Sequence, residues 1–253
     1  LAVMHKLKDG EQRYGSLLKT MSKQPPKPRK ISNIQGGMGA IGAAFEAAYP
    51  DDLHLGRTVT GLTQHSAGSE LYWEILFSDG SKVSARNVVS ALPSYVLAHL
   101  IEQEKLAQVL RELSYAPLRV DYYQVPSEQL PVEGFGILVP SSRGASLKGV
   151  LMGSVAFEGR APEGVHTLTV FSNAKDAAQV EKELAELLGT EQMKCLGTRN
   201  WSRAIPQFTM GYLDWKNRLE QVLPKGLLLA GNYMGKVGVA DVLSSGYDLN
   251  LRP

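Results

Sequence analysis

The chain has only one cysteine, Cys195. That excludes an internal disulfide framework and a cysteine-only metal site, and the thiol is expected to be a quiet, buried or half-buried one. No apolar run approaches the roughly 20 residues that cross a bilayer, so the chain is read as not spanning a membrane, while remaining able to lie on one. Charge of either sign is not in excess: 27 basic residues face 25 acidic ones. That argues against a nucleic-acid binder driven by phosphate contacts, and no aromatic-plus-basic module appears. The histidines at 5, 54, 65, 99 and 166 are scattered without metal-ligand spacing; each is read as a surface or capping residue, and no metal site is expected. Also missing are a Gly-x-Gly-x-x-Gly after a strand, a serine-nucleophile elbow, a P-loop, a zinc-helix motif and a convincing acid/base pair. Gly36 to Gly39 come nearest to a dinucleotide cradle, but their spacing is wrong. No side chain is therefore assigned a catalytic role, and any chemistry is expected from a bound cofactor.

With 253 residues, 43% of them hydrophobic, the chain can bury a real core as one large domain or as two lobes. It opens on leucine with no secretion signal before its charged start, and reads as a piece of a longer chain. Residues 1–22 are helix-like, and KQPPKPRK at 23–30 is a proline-rich basic connector read chiefly as a solvated loop. Gln35-Gly36-Gly37-Met38-Gly39 leads into a small-residue helix over 40–48 suited to close packing. Residues 53–62 and 71–77 read as strands, with Asp79-Gly80 supplying a left-handed pair in the turn before a strand at 82–85. A short buried strand at 87–92 stops at Pro93, and an amphipathic helix over 94–113 breaks near Glu104. Strands at 120–125, 134–139, 148–157 and 165–172 alternate with Gly-, Pro- and Ser-rich turns, which predicts an antiparallel sheet. A helix over 175–188 ends at Gly189 as a left-handed cap.

The clearest chemical message lies near the end. Gly226 to Tyr233 form an apolar strand running into small residues, and Gly235 to Asp241 then open a helix. Glycines permit close backbone approach, and the free N–H groups of a first helical turn can donate to an electron-rich edge such as a flavin pyrimidine. The same strand-turn-helix also occurs in proteins with no ligand there, and the stretch alone leaves both readings open.

Several segments, taken in order, resemble the protoporphyrinogen oxidases, flavoproteins of heme and chlorophyll synthesis in the amine-oxidase superfamily. They are Leu130 to Pro140 (LPVEGFGILVP), Leu147 to Pro162 (LKGVLMGSVAFEGRAP), Ala204 to Gly211 (AIPQFTMG) and Gly226 to Asp241, supported by Gln35 to Met38 and Asn87 to Pro93. The resemblance covers essentially the whole chain and places it as the C-terminal half of a longer flavoprotein. It implies an α+β fold, with α/β FAD-binding-type elements plus an antiparallel substrate-domain sheet, from an incomplete two-domain flavoprotein. Residues 1–92 are expected as a partial FAD-binding lobe, 93–200 as the substrate lobe and 201–253 as a C-terminal FAD-binding strand and helix.

The resemblance also implies a function: FAD removes hydrogen from protoporphyrinogen, dioxygen reoxidises the flavin, and peroxide leaves. By matching motif, Leu138, Leu151 and Phe171 would line the porphyrinogen pocket, each having a plain core role as its alternative. Val59 matches a position that meets the adenosine half of FAD through its backbone, and Val237, Gly238 and Val239 match positions whose amides approach the flavin ring. Where relatives often carry tryptophan after Gly-His, this chain has Gly211-Tyr212-Leu213, so the flavin-edge contact is assigned to Leu213 or moved to Trp215. The arginine that anchors a substrate propionate in relatives belongs to the half not present here, as does the main FAD-binding turn. Expected partners are the porphyrinogen, dioxygen, the missing N-terminal half and, where the parent assembles, a second copy. Expected locations are the periphery of a bacterial inner or organellar membrane, or the cytoplasm.

Two alternatives stay open: a non-catalytic lobe without tight FAD binding, and another superfamily member such as a carotene desaturase or monoamine oxidase. The GFG-x-L-x-P segment and the Ala-Ile-Pro-Gln run weigh against the latter. Because the pyrophosphate cradle carries most of the cofactor affinity, the purified 253-residue chain is expected not to oxidise protoporphyrinogen alone. Turnover by that chain would overturn this expectation. Flavin absorbance retained after gel filtration with excess FAD would mark a self-sufficient cofactor lobe, and a colourless chain a site completed elsewhere.

Overall fold

A computed structural model describes residues 5–23, 32–130, 134–247 and 249. Most of the basic connector, residues 24–30, lies outside the described residues. The chain divides into two compact units: one formed by Leu1–Ser114 with Pro206–Pro253, the other by Tyr115–Ile205. These boundaries differ from the expected 92/93 and 200/201. The helices after Pro93 pack into the first unit, and a strand the sequence did not announce runs straight through residue 200.

In the first unit, the opening helical stretch is two helices, α1 (His5–Tyr14) and α2 (Leu17–Lys23), separated where Gly15 takes a left-handed φ of 78°. The glycine-rich segment feeds α3 (Gly39–Ala48), which buries none of its residues, so the expected close packing is not made among the described residues. A strand starts later than expected: β1 is Val59–Ala67, while residues 53–57 form turns and loop. It pairs antiparallel with β2 (Glu70–Phe77), which pairs with β3 (Lys82–Ala85). At the Asp79-Gly80 turn only Gly80 is left-handed, since no described non-glycine residue has a positive φ. Asp79 instead uses its carboxylate to accept the Ser81 N–H at 2.9 Å, while Phe77 N–H donates to Ser81 O at 3.0 Å, closing a longer turn with a glycine bulge.

β4 (Val88–Ser90) leads to α4 (Ser94–Leu100) and α5 (Glu104–Glu112), with the break falling at the expected place. The second unit intervenes, and the chain returns with α8 (Tyr212–Val222), β10 (Leu227–Leu229) and α9 (Val239–Ser245). β10 pairs in parallel with β4, Leu228 facing Val89. Just before β10, Gly226 is left-handed at φ 81°, and a Cβ there would meet Arg86 O at 2.5 Å, so only glycine allows the strands to converge. Trp73, fully buried, donates its indole N–H to Lys225 O at 3.3 Å, and the Gln64 amide donates to the same oxygen at 2.7 Å. Trp215 is also core: it is buried, and its Nε1 donates to Val109 O at 2.7 Å, clamping α8 to α5. That corrects the expectation of a flavin-edge contact moved to Trp215.

The second unit is a five-stranded sheet in the order β6-β7-β8-β5-β9: β5 (Tyr115–Pro126), β6 (Gly136–Leu138), β7 (Leu147–Leu151), β8 (Val165–Ser172) and β9 (Lys194–Pro206, whose last residue falls in the first unit). The strand expected over 148–157 ends at Leu151, and Gly153–Ala156 forms the short helix α6. β9 was missed because its sequence, KCLGTRNWSRAIP, has no apolar alternation. Cys195, on that strand, is exposed rather than buried. α7 (Ala177–Leu188) covers one face of the sheet. Its N-terminus is capped by the Asp176 carboxylate accepting the Gln179 N–H at 2.9 Å, and its end by left-handed Gly189 at φ 73°. Val180 and Leu184 of α7 meet Tyr123, Val125, Leu147, Val150, Leu168 and Val170 in a single apolar core. On the same face of β5 a buried pair forms, Arg119 donating twice to the Asp121 carboxylate at 2.8 Å, with Thr198 of β9 donating to Asp121 at 2.6 Å. Among the described residues, no helix is long and apolar enough to cross a membrane.

The pairing of β7 with β8 is irregular: Leu147 faces Ser172 but Gly149 already faces Phe171, so Lys148 is the extra residue of a β-bulge. The bulge lets Leu147 and Val150, three apart, both enter the core. The Leu147 N–H donates instead to Glu183 of α7 at 2.9 Å. Burial pushes the Glu183 carboxyl up, but hydrogen bonds from the Leu147 amide and neighbouring donors outweigh it and hold the group below its ordinary value. A lowered carboxylate contributes stability above its unfolded-state value that disappears as pH falls through the folded one. Glu183→Ala should therefore cost roughly 1–3 kcal/mol by leaving the Leu147 N–H unpartnered, and should flatten the loss of stability on the acid side. Urea unfolding at neutral pH and at about pH 4 checks this; an unchanged midpoint at both would remove Glu183 from the bulge's support.

Candidate functional site

Strand alternation gives the sheet of the second unit two apolar faces, and α7 covers only one. On the other, the register aligns two cross-strand rows: Leu138, Gly149, Phe171 and Val120 in one, Gly136, Leu151, Thr169 and Tyr122 in the next. In each row a leucine lies opposite a glycine, in a reciprocal exchange between β6 and β7. A Cβ at Gly136 would meet Val150 O at 2.4 Å and the Leu151 side chain at 3.2 Å. One at Gly149 would meet Ile137 O at 2.9 Å and the Leu138 side chain at 3.6 Å. The glycines thus allow both the close approach of the strands and the space over which the leucines lie.

This face walls a cavity of about 700 Å³, lined by Pro117, Leu118, Phe135, Gly136, Ile137, Leu138, Lys148, Gly149, Val150, Leu151, Phe171 and Ile205. All three residues expected on the substrate side, Leu138, Leu151 and Phe171, line it together. Their exposure differs from that of core side chains: Leu138 is 89% exposed and Leu151 37%. A volume of this size falls within the range of small-molecule pockets, and the predominantly apolar lining suits a large, flat, apolar ligand. Among the described residues, Lys148 is the single charged one in the lining.

The residues expected on the cofactor side all belong to the first unit. After β10, Gly231 (φ 121°) and left-handed Gly235 (φ 95°) bracket a turn of 3-10 helix at Asn232–Met234, and Gly238 caps α9 from an extended conformation. The amides of the first turn of α9, from Val239 onward, have no acceptor within the helix. Val237 and Val239 are 58% and 53% exposed, so the backbone here is open to a ligand. Tyr212 fixes the neighbourhood: its hydroxyl donates to Tyr233 O at 3.0 Å, tying the first turn of α8, which carries half-exposed Leu213, to the glycine turn that leads to Val237. Exposed amides beside two obligatory glycines fit an anionic or electron-rich ring edge. Val59 is placed elsewhere in the unit. It lines a separate apolar cavity of about 380 Å³ with Leu62, Ile75 and the segment Val88 to Leu92.

Among the described residues, no three of His, Cys, Asp and Glu gather as a metal site would require. What sequence reasoning missed is Lys148: a lysine next to a strand glycine reads as an ordinary exposed residue, and only the bulge reveals its place on the cavity wall.

Comparison with known proteins gives a consistent picture. Residues 3–248 match the family described as flavin containing amine oxidoreductase. Chloroplastic protoporphyrinogen oxidase 1 of Spinacia oleracea is 27% identical over 88% of this chain and 45% of its own length. Protoporphyrinogen oxidase of Homo sapiens is 28% identical over 85% of this chain and 50% of its own length. A solved structure described as a putative protoporphyrinogen oxidase from Exiguobacterium shares the fold, with a TM-score of 0.74 at 18% identity, over 97% of this chain and 56% of that one. The chain spans about half the length of the curated relatives it matches.

The leucine-over-glycine arrangement makes a direct test. Gly136→Ala should force β6 away from β7 and destabilise the second unit by roughly 1–3 kcal/mol, readable as a lower urea midpoint. A midpoint within error of the parent would mean that the strand approach does not depend on the glycine.

Proposed function

The chain belongs to the flavin-containing amine oxidoreductase family, and we propose that it forms the porphyrinogen-binding portion of an FAD-dependent oxidase that converts protoporphyrinogen IX to protoporphyrin IX with dioxygen as acceptor. The observation that carries this reading is the meeting of Leu138, Leu151 and Phe171 on one apolar cavity of about 700 Å³. FAD, when bound, would supply the electron sink that takes hydrogen from the macrocycle in successive two-electron steps. The residues of this chain have the simpler task of holding a large apolar ring flat and dry. Leu138 and Leu151 clasp a pyrrole edge, Phe171 forms the floor between them, and the apolar wall excludes water from the reacting carbon. On the cofactor side, Val237, Gly238 and Val239 present backbone amides to the flavin ring, Leu213 packs at its edge, and Val59 meets the adenosine half through its backbone.

The remainder of the FAD site comes from the rest of a longer parent chain, a reading supported by the apolar surface that the first unit leaves uncovered. Phe45 of α3, for example, is 57% exposed, on a helix that buries none of its residues.

In the full-length parent, Leu151→Ala should raise the apparent KM for protoporphyrinogen about five- to tenfold, the cost of losing about 1 kcal/mol of apolar contact, with flavin content nearly unchanged. Steady-state kinetics alongside flavin absorbance separate the outcomes: equal losses of substrate affinity and bound flavin would return Leu151 to a core role. A preference of that parent for carotenes or amines over porphyrinogens would sink the substrate assignment.

A further inference from the structure

We propose that Lys148 is a carboxylate anchor on the wall of the apolar cavity, receiving a propionate of the bound macrocycle and so setting its orientation; this rests on the porphyrinogen reading. The argument begins with the bulge. In regular alternation, Gly149 and Leu151 would stay on the cavity face, but position 148 would share the core face with Val150. The bulge instead sends Leu147 into the core, where it is 2% exposed, and leaves Lys148 exposed on the cavity wall. A cation that a regular strand would have buried is thereby re-aimed at the site, which is a recurrent use of bulges beside binding sites.

The ammonium is also available. Its hydrogen bond is a long one, Nζ donating to Ala145 O at 3.4 Å, and it forms no ion pair among the described residues. Among the described residues the lining holds one cation on an otherwise apolar wall, which complements a ligand with an apolar body and an anionic group at its edge. A carboxylate placed there gains a charge-assisted hydrogen bond of the modest, salt-sensitive strength of an exposed ion pair. The macrocycle of the proposed reaction is apolar through its pyrroles, which lie over the leucines, and anionic at its rim through its propionates.

The test uses the 253-residue chain and two probes, protoporphyrin IX and its dimethyl ester, which has the same ring without the negative charges. Affinity is read by fluorescence titration at low salt, with circular dichroism confirming the fold of each variant. The expected result is that the parent chain binds the diacid about three- to tenfold more tightly than the diester. Lys148→Gln should erase that preference while diester affinity stays within about twofold, and Lys148→Arg should keep it. Equal affinity of the parent for both probes, or a preference that survives Lys148→Gln, overturns the anchor while leaving the porphyrin reading intact. Failure of the parent to bind either probe overturns both.

Discussion

The second unit depends on where one extra residue sits in one strand. Without the bulge at Lys148, β7 would have to choose between burying Leu147 and burying Val150, and either choice would put a lysine or a glycine where the core needs an aliphatic group. With it, both aliphatic residues pack beneath α7, and Gly149 and Leu151 remain on the opposite face. The irregularity leaves the Leu147 amide to be satisfied from outside the sheet, and Glu183 of α7 supplies the acceptor. Core helix, bulge and cavity wall are therefore one mechanical assembly: the contact that satisfies a stray amide on one face also positions the residues on the other.

The two candidate surfaces are built from different parts of the chain. In the second unit the side chains build the surface, with leucines and a phenylalanine placed by strand register. In the first unit the backbone does so, through glycines whose conformations no other residue would adopt and amides left open at the start of α9. Tyr212 links the two elements on that side, using its hydroxyl to brace the turn and its ring to pack against Phe208 and Trp215. This division suits a reaction in which the cofactor carries the chemistry and the protein supplies position and exclusion of water.

Much of this was legible in the sequence, and the exceptions have physical causes. The helix break near Glu104, the capped helix ending at Gly189 and the strand-turn-helix near the end all follow local rules of periodicity and glycine usage, and the structure follows them too. β9 escaped because an edge strand with a solvated surface carries no apolar alternation to detect. The strand that ends at Leu151 reads in the sequence as running to residue 157 because α6 is too short and too small in its side chains to leave a helical period. Trp215 reads like a ligand contact because it is aromatic and close to the expected motif, whereas its indole N–H is committed to a backbone carbonyl in the core. Leu138, Leu151 and Phe171 were named through resemblance; register shows why they share one cavity, with each leucine placed across from a glycine.

The hydrogen bond from Trp73 to Lys225 joins residues 152 positions apart. Its unit is built from two separate stretches of chain, with the whole of Tyr115–Ile205 inserted between them. The inserted unit is continuous in sequence, so its strand pairings need nothing from outside it, whereas β4 must wait for β10. Once the insert has collapsed, the ends it presents lie closer together than those of a free loop, and the entropic cost of closing the outer unit falls accordingly. Within the outer unit the hairpin strands β1, β2 and β3 find their partners in sequence, whereas β4 has its partner strand only in β10, beyond the insert.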